Sequence, residues 1–347
     1  MPHRFLAFLA AVALVAAILG GCERRTGSSS VIIGGTATPN TPGESLWLDF
    51  KRRAEQDSGG RIPMRALIYG QLGSEEQLLS GLRRGRIHFA NLSVQIVSTV
   101  VPELILLYSP YLFDSEAEAD FVYDRYLTDL YRELLAAKDL HLVTWYEVGF
   151  HQVYGVEPII VPADARGRRF RVAQSLSARL FAESLGADLI PLGFGEIVSS
   201  LQTGLIEAGE NSVQLYARTG IAGEAPHLTL TDHLLGMSVI VSRKRWWDAL
   251  PAADREVLER SFPRAEETRR LIRAQTAGDL AQAGTLGFTV HRLDPAEQRT
   301  WREATSGVTQ RLIAAIGGRA AEVYAVIQRG KADYVRSRSG AESAAWE

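Results

Sequence analysis

Residues 167–212, GRRFRVAQSLSARLFAESLGADLIPLGFGEIVSSLQTGLIEAGENS, alternate short β-rich runs with helical ones. Phe170-Arg171-Val172 reads as a strand, residues 175–185 as a helix and Leu189-Ile190 as a second strand. Residues 196–202 form a further helix ended by Gly204, and residues 205–208 the next strand. Strands that alternate with helices over such short distances specify an α/β architecture.

The theme extends outward in both directions. Val31-Ile32-Ile33 is a short strand that breaks into a Gly- and Thr-rich loop at residues 34–43. A helix from Glu44 carries Leu46, Trp47 and Phe50 on its apolar side and stops at Ser58-Gly59-Gly60. Residues 64–69 read as a strand, with Pro63 at the entrance, where a missing N–H is tolerated. Ser74 caps a helix bearing Leu78, Leu79 and Leu82, which Gly85 closes ahead of a strand at residues 87–90. A long helix starts at Asp114 or Ser115 and runs past Leu134, and a buried strand at residues 140–146 continues beyond Gly149. Val239-Ile240-Val241 is another strand. Residues 251–286 are helical with a break at Pro263. A strand at 288–290 then precedes helices at 295–316 and 320–334. Two α/β lobes joined by crossing strands leave a cleft, and such folds hold ligands at domain interfaces and beyond the carboxyl ends of strands.

The 347 residues carry a net charge of −2, with 46% hydrophobic and 22% charged residues, an ordinary globular balance for about two domains. No basic stripe supports a nucleic-acid partner. The first twenty-two residues differ from the rest. Arg4 precedes an apolar run at residues 5–19, then Leu19-Gly20-Gly21-Cys22. This reads as a secretory signal peptide with a lipoprotein box, and Cys22, the only cysteine, is the residue expected to be acylated. Residues 23–30 form a flexible polar tether, and the polar tail 337–347 is expected to fray.

Enzyme constellations are missing. There is no Gly-x-Ser-x-Gly elbow, no phosphate-cradling Gly-x-x-x-x-Gly-Lys-Ser/Thr loop, no His-Glu-x-x-His and no cysteine pair. The seven histidines are scattered, so neither a metal nor another cofactor is expected. Asn91-Leu92-Ser93 matches a glycosylation sequon, a triplet common by chance. A binding module is therefore favoured over an enzyme.

Several segments resemble the solute-binding proteins of tripartite ATP-independent periplasmic (TRAP) transporters. They include Gly70-Gln71-Leu72-Gly73-Ser74-Glu75, Leu107-Tyr108-Ser109-Pro110-Tyr111-Leu112-Phe113 and Gly149-Phe150-His151-Gln152. Gly167-Arg168-Arg169-Phe170-Arg171-Val172 and Pro191-Leu192-Gly193-Phe194-Gly195-Glu196 follow, then Leu201-Gln202-Thr203-Gly204 and Gly209-Glu210-Asn211. Thr229-Leu230-Thr231-Asp232-His233 and Trp247-Asp248-Ala249-Leu250-Pro251 complete a set that runs in order from about Val31 to Gln328.

The resemblance implies a type II-like periplasmic binding protein fold with hinge strands and a long helix bracing both lobes. It implies a lobe I of residues 31–148 plus about 237–276, and a lobe II of 149–236 plus about 277–336. Such a protein captures a small organic acid and hands it to membrane permease subunits driven by an ion gradient. It would act as a monomer on the periplasmic side of the envelope, anchored through Cys22.

Arg171 is the residue expected to grip the substrate carboxylate, because a guanidinium offers two parallel donors and a permanent charge. Asn211 is expected beside it, following the strand 205–208, with Phe194 as a ring wall. Gln174, Ser93 and Thr38 are further candidate contacts. Glu210 is expected to orient Arg171 or a hinge segment, and His233 to be a packed, hydrogen-bonded histidine. His151 is a departure, since many relatives have arginine there. It leaves one permanent cation and points to a monocarboxylate, a hydroxy or keto acid. The competing readings are a binding protein that presents ligand to a membrane sensor, a lipoprotein hydrolase, for which no nucleophile and base can be assembled, and a structural envelope lipoprotein.

Overall fold

The computed structural model describes residues 30–344, so the signal peptide, Cys22 and nearly all of the tether lie outside the described residues. Nine strands form one sheet: β1 Val31–Gly34, β2 Met64–Leu67, β3 Phe89–Ser93, β4 Leu140–Gly155, β5 Arg169–Val172, β6 Asp188–Pro191, β7 Ala208–Ser212, β8 His227–Arg243 and β9 Thr289–Arg292. The order is β2-β1-β3-β8-β4-β7-β5-β6, with β9 paired to β8.

Two strands, β4 of 16 residues and β8 of 17, are far longer than the rest and run antiparallel side by side. Leu140 to Glu147 pair with the second half of β8, which also takes β3 and, through it, β1 and β2. His151 to Gly155 pair with the first half of β8 and with β7, which leads to β5 and β6. Both lobes therefore share these two strands. Register shifts interrupt the pair at Leu142/Thr144, Glu147/Gly149 and His151/Val153. Gly149 at the second shift has φ +93°, a conformation that costs glycine little.

Each half of the sheet is covered on both faces. In the first lobe, Ala90, Leu92, Val239 and Val241 face a cluster with Leu78, Leu106 and Tyr131, while Phe89 and Ile240 face Trp47, Phe50 and Phe262. This is the period-two alternation of a strand. In the second lobe, Phe170 and Val172 pack with Phe181 and Trp301, and Tyr154 and Leu228 pack with Tyr216 and Phe288.

The helix Ala265–Ala281 crosses the junction. Arg269 and Arg273 fasten it to Asp120, Asp124 and Glu147 on the first-lobe side, and Asp279 accepts from Arg218 on the second. The split at Pro263 falls where expected, between helices Ala252–Ser261 and Ala265–Ala281.

Several expectations need correction. The helix from Glu116 is interrupted by a π-helical turn, Tyr123–Leu127, and residues 295–316 form two helices, Pro295–Thr305 and Val308–Ile316. The helix Ala320–Ala344 carries on through residues 337–344 instead of fraying before them. Val308 and Leu312 share a core with Leu104 and Leu106 of the first lobe and Leu180 of the second, and Arg311 donates to Glu183 at 2.6 Å, while Val323 and Ile327 join the first-lobe cluster, so the chain after 307 packs on both lobes and not on the second alone. Its apolar face matched a helical surface that the sequence could not assign to a lobe.

Candidate functional site

A cavity of about 640 Å³ opens between the lobes. Arg171, Asn211, His151, Phe194, Gln174, Ser93, Thr38 and Glu210 all line it. His233 does not; it borders a small adjoining void with Tyr108 and Phe181.

Strand geometry aims Arg171. Phe170 and Val172 enter the second-lobe core, so Arg171 between them points to the opposite face of β5. It is only 6% exposed. Its Nε and Nη2 donate to the Leu192 carbonyl at 3.2 and 3.0 Å, which fixes the plane of the guanidinium. Among the described residues its Nη1 has no acceptor, and no carboxylate lies within 4.0 Å.

Asn211 sits inside β7, opposite Gln152 of β4, and not beyond the strand as expected. The turn around Gly204 extends through Glu207, so the strand begins later, at Ala208. Asn211 Oδ1 accepts from the Ser212 N–H at 2.9 Å, and its amide nitrogen has no partner among the described residues. Phe194 is 44% exposed on the cleft wall, which removes core packing as its role. Gln174 is an exposed lining residue just past β5, and Thr38 lies in the first loop, where its carbonyl accepts from Thr41 Oγ1 at 2.6 Å. Ser93 ends β3, and both its N–H and its hydroxyl donate to Glu75, at 2.6 and 2.7 Å.

His151 is held between β7 and β8, with Nδ1 directly against Glu210 Oε2. Gly236 is required opposite: a Cβ there would come within 2.5 Å of His151 Nε2. The next residue, Gln152, clamps the register shift by donating to Asp232 Oδ1 at 2.6 Å and accepting from the Asp232 N–H at 2.9 Å. Glu210 thus bonds His151 and makes no hydrogen bond to Arg171. Burial pushes the Glu210 carboxyl up, but the His151 contact, with His233 and Arg171 behind it, outweighs this and holds it down at about 2. Burial pushes His233 down to about 3, so it is neutral at pH 7. His233 stacks on Phe181 with centroids 4.2 Å apart, and Nδ1 pairs with Thr231 Oγ1 at 2.8 Å.

Residues 33–315 match the bacterial extracellular solute-binding protein family 7. The chain belongs to this family. The C4-dicarboxylate-binding periplasmic protein DctP of Rhodobacter capsulatus is 25% identical over 306 residues, 85% of this chain and 89% of that one. The sugar acid binding protein DctPAm from Advenella mimigardefordensis, in complex with galactonate, superposes with a TM-score of 0.80 at 24% identity, covering 86% of this chain and 98% of that one. A TRAP periplasmic solute-binding protein from Roseobacter denitrificans with bound β-D-glucuronate gives 0.81 at 22%, covering 86% and 99%. The two-lobed TRAP receptor fold is therefore the fold of this chain.

Within this family 7 receptor, sequence reasoning missed several cleft-lining side chains. Tyr108 lies at the junction, where its hydroxyl donates to the Met237 carbonyl at 3.0 Å and accepts from the Met237 N–H at 3.3 Å. Glu75 and Asn91 line the first-lobe wall. Tyr108 and Glu75 both stood inside family-like segments, but neither position carried a signal of its own, since an aromatic and a first-turn acid are ordinary helix residues. Among the described residues no helix is long and apolar enough to cross a membrane.

Proposed function

We propose that this receptor captures a small organic acid through its carboxylate in the interlobe cleft and delivers it to TRAP permease subunits driven by an ion gradient. The observation that carries this reading is Arg171. A guanidinium taken out of water without a counter-charge is costly, and a buried cation ordinarily finds an anion. Here the protein supplies only a carbonyl, and the unused donors belong to a residue on the wall of a cavity large enough for a metabolite. A ligand carboxylate would complete the pairing in bidentate fashion. The dicarboxylate, galactonate and glucuronate named for the relatives are all carboxylates, which agrees. His151 supports a ligand with a single carboxylate, because its Nδ1 is committed to Glu210 where a second arginine would have offered a second fork.

The protein would work as a periplasmic monomer anchored by a lipid on Cys22. Globomycin should leave an unprocessed, larger form; an unchanged size would rule the anchor out.

The functional test is thermal melting of the mature chain against a library of small organic acids. Ligand that binds only the folded state adds about 2.7 kcal/mol at a hundredfold excess over Kd. A clear shift, lost in Arg171→Lys, supports the reading. If no acid shifts the melting temperature and mass spectrometry of the denatured protein finds no copurified acid, the reading fails.

A further inference from the structure

The first lobe has a basic end, on the side of the sheet away from the cleft. The helix Glu75–Arg83 closes into a turn bearing Arg83, Arg84 and Arg86. All three are exposed, and none has a carboxylate within 4.0 Å among the described residues. β3 follows, and its first residue, Phe89, pairs with Ser242 of β8, which brings in Arg243, Lys244 and Arg245. The approach to β4 adds the exposed Lys138, and the Asp139 carbonyl accepts from the Lys244 N–H at 2.8 Å. A Cβ on Gly85 would lie 3.3 Å from Arg243 Nη1, so the arginine turn and the end of β8 touch.

The imbalance is local. Residues 83–86, 138–139 and 243–248 gather seven cations against two acids, in a chain whose formal net charge is −2. Asp139 is shared by Arg243 and Arg245, and Asp248 accepts from Lys244 at 2.6 Å, which leaves the arginine turn and Lys138 without acids. Such a cluster sets up a positive potential that a balanced surface lacks. Trp246 lies in the same place, half-buried, with its ring 4.8 Å from His88 and 5.4 Å from Phe89. An indole beside cations suits the boundary between headgroups and acyl chains.

The chain enters the fold at this end. β1 runs parallel to β3 with Ile33 opposite Phe89, so Val31 is level with Ile87, next to Arg86. His88 fastens the entry, accepting from the Ile32 N–H at 2.9 Å and donating its own N–H to the Ile32 carbonyl at 2.8 Å. Residues 23–30, which link Cys22 to β1, reach at most about 28 Å. They carry two more cations, Arg24 and Arg25, against one acid, Glu23.

We propose that this end of the first lobe docks on a membrane surface of anionic phospholipid headgroups. The inference rests in part on the lipid-anchored reading above and names the face that meets the bilayer. A lipid on Cys22 would hold Val31 and the arginine turn close to the headgroups, and the basic end would turn that tether into an orientation. β3 runs from this end to Ser93 on the cavity wall, roughly 16 Å, so the docked receptor keeps its cleft clear of the bilayer and free to load.

The test is co-sedimentation of the mature chain carrying Cys22→Ser, which cannot be acylated, with phosphatidylcholine vesicles, pure or containing about 30% phosphatidylglycerol. At about 0.1 M salt the chain should partition onto the anionic vesicles at least about tenfold more strongly. At about 1 M salt, where the screening length falls from about 10 to 3 Å, the difference should vanish. Arg83→Gln, Arg84→Gln and Arg86→Gln together should cost at least about tenfold in partitioning, with melting temperature and organic-acid binding unchanged. The same change of charge on exposed second-lobe residues, Arg166→Gln, Arg292→Gln and Arg299→Gln, should cost less than about twofold. Equal losses in the two triple variants would make the effect one of net charge and overturn the proposal. No preference for anionic vesicles also overturns it, and a globomycin response alongside would leave the anchor and the solute-binding reading standing. Anionic binding in a protein whose size globomycin does not change supports the docking face and removes only the anchor.

Discussion

Arg171 in the cleft and Arg269 in the bracing helix are equally buried, at 6% and 4% exposed, yet they are treated in opposite ways. Arg269 forks onto Asp124 at 2.7 and 2.8 Å with Asp120 behind it. Its neighbour Arg273 reaches Asp120 and the buried Glu147 in the same manner. Arg171 has only the Leu192 carbonyl. A structural arginine brings its own counter-ions, and an arginine kept for a ligand leaves them out. The brace thus carries its own counter-charges, whereas in the proposed function a ligand carboxylate would supply the one that Arg171 lacks.

The strongest challenge to that contrast is to take a charge out of the brace. Arg273→Ala leaves Glu147, 2% exposed in the middle of β4, without its cation. Removing one partner of a buried pair typically costs about 3 kcal/mol or more. Urea unfolding should show that loss with no ligand present, and a change below about 0.5 kcal/mol would mean that the brace charges are surface pairs of little consequence.

Arg171→Met should give the converse pattern. Ligand affinity should fall about a hundredfold or more, equivalent to about 2.7 kcal/mol, as expected for a lost charge-assisted fork. The unliganded melting temperature should move much less than in Arg273→Ala, because no protein carboxylate loses its partner. A variant that melts early but binds normally would make Arg171 a structural residue and erase the contrast.

These two regions were unequally legible in the sequence. The strand Phe170-Arg171-Val172 could be read locally, and the family resemblance singled out Arg171 on it, while the face it occupies came from the packing of Phe170 and Val172. The brace could not, because pairing Arg269 and Arg273 with residues some 120 to 150 positions earlier is a consequence of tertiary packing. The same limit explains β8. Only Val239-Ile240-Val241 looked like a strand, since Thr231-Asp232-His233 and Gly236 break the apolar pattern. That stretch extends because β4 and β9 supply hydrogen bonds on its flanks. Glu75 looked like a first-turn acid favoured by the helix dipole, and only the packing of its helix against β3 turns it toward Ser93 and the cavity.

A smaller effect separates the regions by pH. His233 is neutral in the fold, with its pKa pushed down to about 3 from 6.5, so the unfolded chain binds the extra proton below pH 6.5. Its contribution to stability is full above that value and declines as pH falls toward 3. Glu210, held at about 2 against an ordinary 4.5, adds a decline in the same direction below pH 4.5. Stability should therefore drop by about 1–2 kcal/mol between pH 7 and 5, and His233→Asn should flatten this slope. The brace arginines stay charged throughout, so they add nothing to the slope of the wild-type curve between pH 5 and 7. Parallel curves for wild type and His233→Asn would place the acid sensitivity elsewhere.

The smallest effect tests the wall of the cleft rather than its charges. Phe194 is 44% exposed and follows Gly193, in the turn whose Leu192 carbonyl holds Arg171. Truncating a half-exposed ring removes little buried area, so Phe194→Ala should change stability by less than about 0.5 kcal/mol. If the ring covers bound ligand, the loss on binding is the area that the ligand and ring hide from water together, which at about 25 cal/mol per Å² amounts to roughly 1 kcal/mol, or about fivefold in Kd. That loss should appear for every carboxylate ligand alike, because an apolar face does not read charge. A hundredfold loss would instead mean that the turn had moved and taken the Leu192 carbonyl with it. Phe194→Leu, which keeps apolar cover at this position, separates the two outcomes by restoring affinity only in the first.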